Sequence, residues 1–347
     1  MKLRNRTKFK LKTLLVVTFI GGMIGGLYAG LFRYGKPIDL LQGLFFGVGA
    51  SLIISASHLF FLQAWMHRRN FTVATLTSTG SFLLAIIGLL IISSAIFEEK
   101  AFNTMSFRDI VGSSESYNTI LFTLAVSFFF SFLMQINRLI GGRIFFSFFT
   151  GKYHTPIEED RIFMFLDLKS STSVAEKIGH VTFHKFINDF LFTISEAIIA
   201  NRGEIYKYVG DEVIITWKMK EGLKNMRCIR LFFEAQDSIK ESRDLFQEKY
   251  GIVPEFKAGL HCGKVVSGEM GDTKKEIAFL GDVINTAARI ENECNPHQKS
   301  LLISGDLLQK MNLKKECQIE KIGDINLRGK MERIELYAVG RNSCFDQ

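Results

Sequence analysis

Hydrophobic positions are distributed in two different ways along this chain of 347 residues. Up to about residue 136 they form long, nearly unbroken stretches at 13–32, 40–65, 71–97 and 117–136. Each reaches the roughly 20 apolar residues a helix needs to cross a bilayer, so the pattern predicts four transmembrane helices. The first, third and fourth stretches carry no charged side chain, and the second carries only His58. The first is too long for a signal peptide, and three more follow it. Beyond residue 157 the pattern changes to short apolar runs and helical stripes separated by turn residues. These predict strands at 161–168, 255–266 and 299–304, a hairpin over 204–217, and helices over 173–201, 223–250 and 282–292. A Gly- and charge-rich loop is expected before Asp282, and two more β-rich runs close the chain. The β–α–β–β–α–β order predicts a ferredoxin-like α+β sheet. The expected architecture is thus an all-α four-helix transmembrane domain (1–136), a connecting helix (137–156) and an α+β domain (157–347).

Charge sharpens this division. Residues 1–156 hold 15 Lys and Arg against 5 Asp and Glu, and residues 157–347 hold 28 against 30, so the net +8 comes entirely from the part with the apolar stretches. That distribution suits membrane orientation and argues against a nucleic-acid surface. Six basic residues precede the first stretch: Lys2, Arg4, Arg6, Lys8, Lys10 and Lys12. Arg68 and Arg69 lie between the second and third, and Arg138, Arg143 and Lys152 follow the fourth. The loop holding Glu98, Glu99, Asp109 and Glu115 has few positives. The positive-inside rule then puts both termini in the cytoplasm of a multi-pass protein of the cell membrane. His58 is the one ionisable side chain inside a stretch, and an interhelical hydrogen bond explains it better than a ligand does. Gly21-Gly22 and Gly25-Gly26 predict close helix packing. In the connecting segment, Ile140, Ile144, Phe145, Phe148 and Phe149 are spaced as one helical stripe, which suits either a tether or a dimer contact. The five cysteines, Cys228, Cys262, Cys294, Cys317 and Cys344, show no metal or redox spacing and read as free cytosolic thiols. Cys262 and its neighbour His261 read as ordinary strand residues, with no nucleophile and base around them.

Two carboxylates carry the candidate chemistry. Asp167 ends the apolar run of Phe163-Met-Phe-Leu-Asp-Leu-Lys-Ser-Ser-Thr172. Asp211 lies in Glu204-Ile-Tyr-Lys-Tyr-Val-Gly-Asp-Glu-Val213, where the Gly-Asp pair between two β-rich runs is a hairpin signal. Both are expected at strand tips, where paired carboxylates can hold two Mg²⁺ ions against a triphosphate.

Several separated motifs in the same order give the segment from 158 to 340 a resemblance to the class III nucleotidyl cyclases. The resemblance implies a dimeric enzyme with composite sites, cyclising ATP or GTP to the 3′,5′-monophosphate with release of pyrophosphate. It implies metal binding, by two Mg²⁺ or Mn²⁺ ions, at Asp167, Asp211 and the Leu168 backbone. Phosphate contacts are implied along Leu168, Lys169, Ser170, Ser171 and Thr172, and again at Arg328 or Lys330 in Leu327-Arg-Gly-Lys330. Asn285 and Arg289, in Gly281-Asp-Val-Ile-Asn-Thr-Ala-Ala-Arg289, match the pair that orients the ribose and stabilises charge on the reacting phosphate. Lys207 matches the lysine that reads adenine. Three positions before Gly281, where the family usually has Asp or Thr, this chain has Ala278, so ATP is expected with looser selection. The whole is expected to be a membrane-anchored, homodimeric adenylate cyclase. A guanylate cyclase, or a weakly active receptor or nucleotide-binding module keeping the fold, is the alternative. Val209-Gly-Asp-Glu-Val213 is also similar to the Gly-Gly-Asp-Glu-Phe turn of diguanylate cyclases. That reading lacks the first Gly and leaves Asn285 and Arg289 without a role.

Overall fold

The computed structural model describes residues 5–32, 37–57, 71–97, 150–311, 317–325 and 333–341, with isolated positions between 117 and 147. The chain divides into two compact units, Met1–Gly142 and Arg143–Gln347.

In the first unit, α1 (Asn5–Phe32), α2 (Pro37–Ala56) and α3 (Phe71–Phe97) are long apolar helices. α1 and α2 run antiparallel along a seam of small residues. A Cβ on Gly21 would meet Ser51, and one on Gly25 would fall 2.8 Å from the Cα of Gly47. The glycine pairs therefore do bring two backbones together, as small residues do between membrane helices. On α1, Leu15, Phe19, Met23, Leu27 and Leu31 recur every four residues and are all exposed, an uncovered apolar stripe. The expectation of four crossings is not carried through. Among the described residues one helix, through Leu14–Leu31, is long and apolar enough to span a bilayer, whereas Leu40–Ala56 and Thr79–Leu89 are shorter apolar segments. The second stretch is described as helix only to about residue 57, and α3 keeps an uncharged apolar run over 80–97. Every described residue between 117 and 136 is helical. His58 and most of the connecting segment lie outside the described residues.

The second unit is built around β1 (Ile157–Leu168), whose apolar run is buried on both faces. It pairs antiparallel with β3 (Glu212–Lys218) on one side and with β4 (Phe256–Met270) on the other. β2 (Glu204–Val209) pairs with β3 across the predicted hairpin. The order β2-β3-β1-β4 is the ferredoxin-like arrangement. The sheet continues through β6 (Leu301–Ser304), β8 (Ile334–Arg341) and β7 (Cys317–Ile325), with the β4–β6 pairing parallel.

Side-chain alternation along β1 separates two cores. Ile162, Met164, Leu166 and Leu168 point into the larger one, beneath α5 (His180–Ala200) and α7 (Arg227–Glu241). Phe163 and Phe165 point to the opposite face, against Val283 and Ala287 of α9 (Asp282–Asn292). Asp167 has the parity of Phe163 and Phe165, so strand periodicity alone aims it at the α9 face.

Three local expectations change. The helix expected over 173–201 is two helices, α4 (Ser171–Ile178) and α5, broken at Gly179, whose φ of 79° ends the first. The helix expected over 223–250 is α6 (Met219–Leu223), a 3₁₀ turn, α7 and α8 (Arg243–Tyr250), because Asn225 and Met226 adopt positive φ and the chain turns again at Ser242. The loop expected before Asp282 instead holds β5 (Glu276–Leu280), which folds back on an extended β4 and buries Ile277 and Phe279. A last short helix, α10 (Gly305–Lys310), is capped by the Ser304 side chain accepting from the Leu307 N–H.

A buried arginine ties the ends of these strands together. Arg161, 1% exposed, donates to Glu159 at 2.7 Å, to Glu204 at 3.2 Å and to the Tyr153 hydroxyl at 3.0 Å. Its guanidinium also stacks 4.5 Å over the ring of Phe279. β1, β2, β5 and the segment leading into β1 thus share one cation, which keeps this charge paired where it is dry.

α9 approaches β4 at Gly259, where an added Cβ would sit 2.6 Å from the Glu291 Cα and 2.8 Å from the Ala287 carbonyl. Gly259→Ala should push the helix off the sheet and cost about 1–3 kcal/mol. Urea unfolding of the full chain, followed by Trp217 emission in a Trp65→Phe background, measures this. A change below about 0.5 kcal/mol would contradict the close approach.

Candidate active site

The site forms where β1, β3 and β4 end on the α9 face. β2 and β3 are joined by Gly210 and Asp211 alone, since Val209 pairs with Glu212. Gly210 has φ 65°, which glycine adopts without strain. That tight turn fixes Asp211 beside the end of β1, and its carboxyl hydrogen-bonds that of Asp167. The two predicted carboxylates therefore meet.

Their surroundings are unusually acidic. Burial, then the charges of Asp211 and Glu291, pushes the Asp167 carboxyl up to about 7. Burial, then Glu291, Asp167 and Asp211, pushes Glu212 up to about 7 as well. The counterweight is Lys257 on β4, 5% exposed, whose ammonium lies 2.6 Å from Glu291 and 3.6 Å from Asp167. Burial alone pulls its pKa down, but the hydrogen bond and charge of Glu291, with Asp167, hold it above the ordinary lysine value. Lys257 and Glu291 were not singled out from the sequence. Parity offered a signal: Ala258, Leu260 and Cys262 point into the larger core, so Lys257 must face α9.

Two observations bear on whether the site suits a divalent cation. Asp211 Oδ2 is buried without a hydrogen-bond partner, and the charge of Asp211 acts on the half-buried Asp167 carboxyl, a repulsion that a cation would relieve. Among the described residues no three His, Cys, Asp or Glu side chains form a cage. Two carboxylates at a strand tip fit Mg²⁺ or Mn²⁺, which take remaining ligands from water and phosphate. The residues fit.

The expected phosphate turn is partly committed elsewhere. Leu168 is buried, and the Lys169 N–H donates to the Glu255 carbonyl at 2.8 Å, closing the β1–β4 ladder. That N–H is committed to the ladder. The Lys169 ammonium donates to Ser300 Oγ at 3.0 Å. Ser170 turns the chain with φ 56°, and the α4 N-terminus that follows, with Ser171 and Thr172, has no side-chain cap. A cleft of about 230 Å³ opens beside it, lined by Ser170, Ser171, Val174, Phe183 and Glu255 among others.

Asn285 and Arg289 stand one turn apart on α9, Asn285 exposed and Arg289 half-buried. Arg289 Nη1 is buried with no hydrogen-bond partner. Lys207, on β2, is not free: its ammonium pairs with Glu276 of β5 at 2.9 Å. Arg328 and Lys330 lie outside the described residues. His261 and Cys262 are buried in the sheet; His261 bonds Ser304 Oγ at 2.8 Å, and burial raises the Cys262 thiol to about 11. Cys228, Cys262, Cys294 and Cys317 are free thiols.

A ferredoxin-like sheet with paired carboxylates at one tip, followed by an uncapped helix start, defines a class of α+β domain by its geometry. Comparison with known proteins narrows this. The profile of the adenylate and guanylate cyclase catalytic domain matches residues 155–340, and the chain belongs to that family. It is 32% identical over 228 residues to "Adenylate cyclase 2" of Rhizobium meliloti (strain 1021), covering 66% of this chain and 63% of that protein. It is 27% identical over 180 residues to "Adenylate cyclase" of Anabaena cylindrica, covering 51% of this chain and 36% of that one. The chain thus spans less than two thirds of these relatives. A bacterial light-regulated adenylyl cyclase structure superposes with a TM-score of 0.56 at 18% identity, covering 67% of this chain and 68% of that one, a likeness of fold.

The raised carboxyls make a signed prediction. An acid whose folded pKa is raised holds its proton more tightly when folded, so metal-free stability falls as pH climbs from the unfolded value near 4 to about 7. Asp167→Asn removes the Asp167 share of this dependence and leaves that of Glu212. Without divalent metal, the variant should lie nearest to wild type at about pH 4 and exceed it at pH 8, the gap growing by at most about 1.4 kcal/mol per pH unit. Added Mn²⁺ should stabilise wild type more than the variant. Unfolding midpoints with EDTA and with Mn²⁺ read both effects, and a gap that shrinks with pH would contradict the burial of Asp167.

Proposed function

We propose that this chain is a membrane-anchored adenylate cyclase that converts ATP to 3′,5′-cyclic AMP and pyrophosphate in a homodimer. The observation that carries the reading is the meeting of Asp167 and Asp211 at one sheet tip, with an orphaned buried carboxylate oxygen. In the reaction the ribose 3′-hydroxyl gives its proton to solvent, O3′ bonds the α-phosphorus, and the bond from that phosphorus to the β-phosphate oxygen breaks. Pyrophosphate leaves with the electron pair. Two Mg²⁺ or Mn²⁺ ions, held by Asp167, Asp211 and the Leu168 carbonyl, would supply charge stabilisation for the attacking and leaving oxygens. The α4 N-terminus, with Ser170, Ser171 and Thr172, is suited to receive phosphate oxygens through its uncapped N–H groups. Arg289 brings a fixed guanidinium with an unused donor to the charge developing at phosphorus, and Asn285 holds the ribose. Arg328 and Lys330 are assigned to the terminal phosphates. Lys207 is assigned to the adenine.

Asp167 and Asp211 are read as acting with Asn285 and Arg289 of a second copy, so that each homodimer has two equal sites. Purified chain should form cyclic AMP from ATP with Mg²⁺ or Mn²⁺, and Asp211→Ala or Arg289→Ala alone should lower kcat at least about 100-fold. Co-expressing the two variants should restore a part of the activity, because one site in each mixed dimer is complete. No recovery in demonstrated mixed dimers would rule out shared sites.

The anchor is read as multi-pass, with crossings at 13–32, 40–65, 71–97 and 117–136 and the catalytic unit cytoplasmic. The uncovered stripe on α1 and the basic clusters at 2–12, 68–69 and 138–152 support this. In intact cells, a membrane-impermeant thiol reagent should label a cysteine placed at Ser114 and not one placed at Ser171. The opposite pattern would remove the catalytic unit from cytosolic ATP.

A further inference from the structure

Reading adenine takes more than Lys207. Adenine offers an acceptor at N1 beside a donor at N6, and guanine offers a donor at N1 beside an acceptor at O6. A lone ammonium can donate to adenine N1 or to guanine O6, so by itself it discriminates weakly. A donor and an acceptor fixed in one order do discriminate. The wrong purine then sets donor against donor and acceptor against acceptor, leaving both pairs unmade. Ala278 cannot supply the acceptor, and its partner across the β4–β5 ladder is Gly268, so that rung carries no polar side chain.

We propose that Glu276 is the acceptor half of the purine-reading pair, and that the Lys207–Glu276 couple selects adenine over guanine. The inference rests on Lys207 contacting the base. β2 and β5 are not neighbours in the sheet, yet two contacts bring them together. Tyr206 packs edge-on against Phe279 at 4.9 Å, and Lys207 Nζ lies 2.9 Å from Glu276 Oε2. Ile277 and Phe279 point into the core, so Glu276 and Ala278 share the other face of β5. Glu276 is therefore the nearest residue along that face able to accept a hydrogen bond where Ala278 does not. Among the described residues its second oxygen meets the exposed Lys274 ammonium at 3.6 Å, a solvent-facing contact that the adenine N6 amine can replace. The hydrogen bond and charge of Lys207 hold the Glu276 carboxyl below the usual range, so it remains an acceptor through the physiological pH range. Arg161 fixes the distance between the two strands, since it bonds Glu204 at the start of β2 and stacks on Phe279.

A surface ion pair of this exposure adds little stability, so variants at 276 should keep the wild-type unfolding midpoint. The test compares kcat/KM for ATP and for GTP in the full chain, in wild type, Glu276→Ala, Glu276→Gln and Glu276→Ala/Ala278→Asp. Glu276→Ala should lower the ATP/GTP ratio by about 5- to 100-fold. Glu276→Gln, which keeps a carbonyl acceptor, should lower it less. Returning a carboxylate at 278 should recover part of the ratio. Competition binding of 3′-deoxy-ATP and 3′-deoxy-GTP, which cannot cyclise, should move in parallel. If wild type turns over neither nucleotide, the cyclase reading falls and the binding ratio alone decides the pair. A ratio that Glu276→Ala leaves unchanged, in turnover and in binding, overturns the inference and leaves the cyclase reading intact.

Discussion

The catalytic unit depends on keeping four carboxylates against one buried ammonium. Asp167, Asp211, Glu212 and Glu291 converge at the end of the sheet, and Lys257 is the cation set among them. Removing such charges from water is costly unless they are paired, and here one lysine partly offsets an excess of acids. The unbalanced remainder appears as raised proton affinity at Asp167 and Glu212. That is also a standing demand for positive charge, which a divalent cation would meet. On the proposed reading, stability is given up locally to make a place suited to metal and phosphate.

Glycine makes that arrangement possible. Gly259 lets α9 lie directly on β4, which brings Glu291 to Lys257 and sets the bearing of Asn285 and Arg289 on the same helix. Gly210 closes the β2–β3 turn with two residues, which puts Asp211 in reach of Asp167. Arg161 then fixes the other end of the same strands, tying the segment that leads into β1 to the start of β2 and to Phe279. The β2–β5 contact and the carboxylate tip are therefore held by two separate charge centres on β1 and its immediate neighbours.

Much of this was legible along the chain because it depends on periodicity and on local turns. The run ending at Asp167, the Gly-Asp turn and the helix holding Asn285 and Arg289 each announce themselves within a dozen residues. β5 did not, because its apolar run is only Ile277, Ala278, Phe279 and Leu280 after a charged stretch, and it becomes a strand by pairing with β4. The helix breaks at Gly179 and Ser242 were missed for a related reason: the apolar stripe continues across a short break.

The sequence by itself determined the two-part organisation, the ferredoxin-like strand order, the strand-tip aspartates and the membership that those motifs imply. Strand alternation and turn geometry are fixed by neighbours in the chain, so they can be read there. Only the tertiary structure decided that Lys257 and Glu291 pair beneath the site, that the Lys169 N–H belongs to the ladder, and that Lys207 meets Glu276. These join residues 34, 86 and 69 positions apart. Their meeting depends on how a sheet twists and how closely a helix can lie on it, and no local pattern specifies such distances.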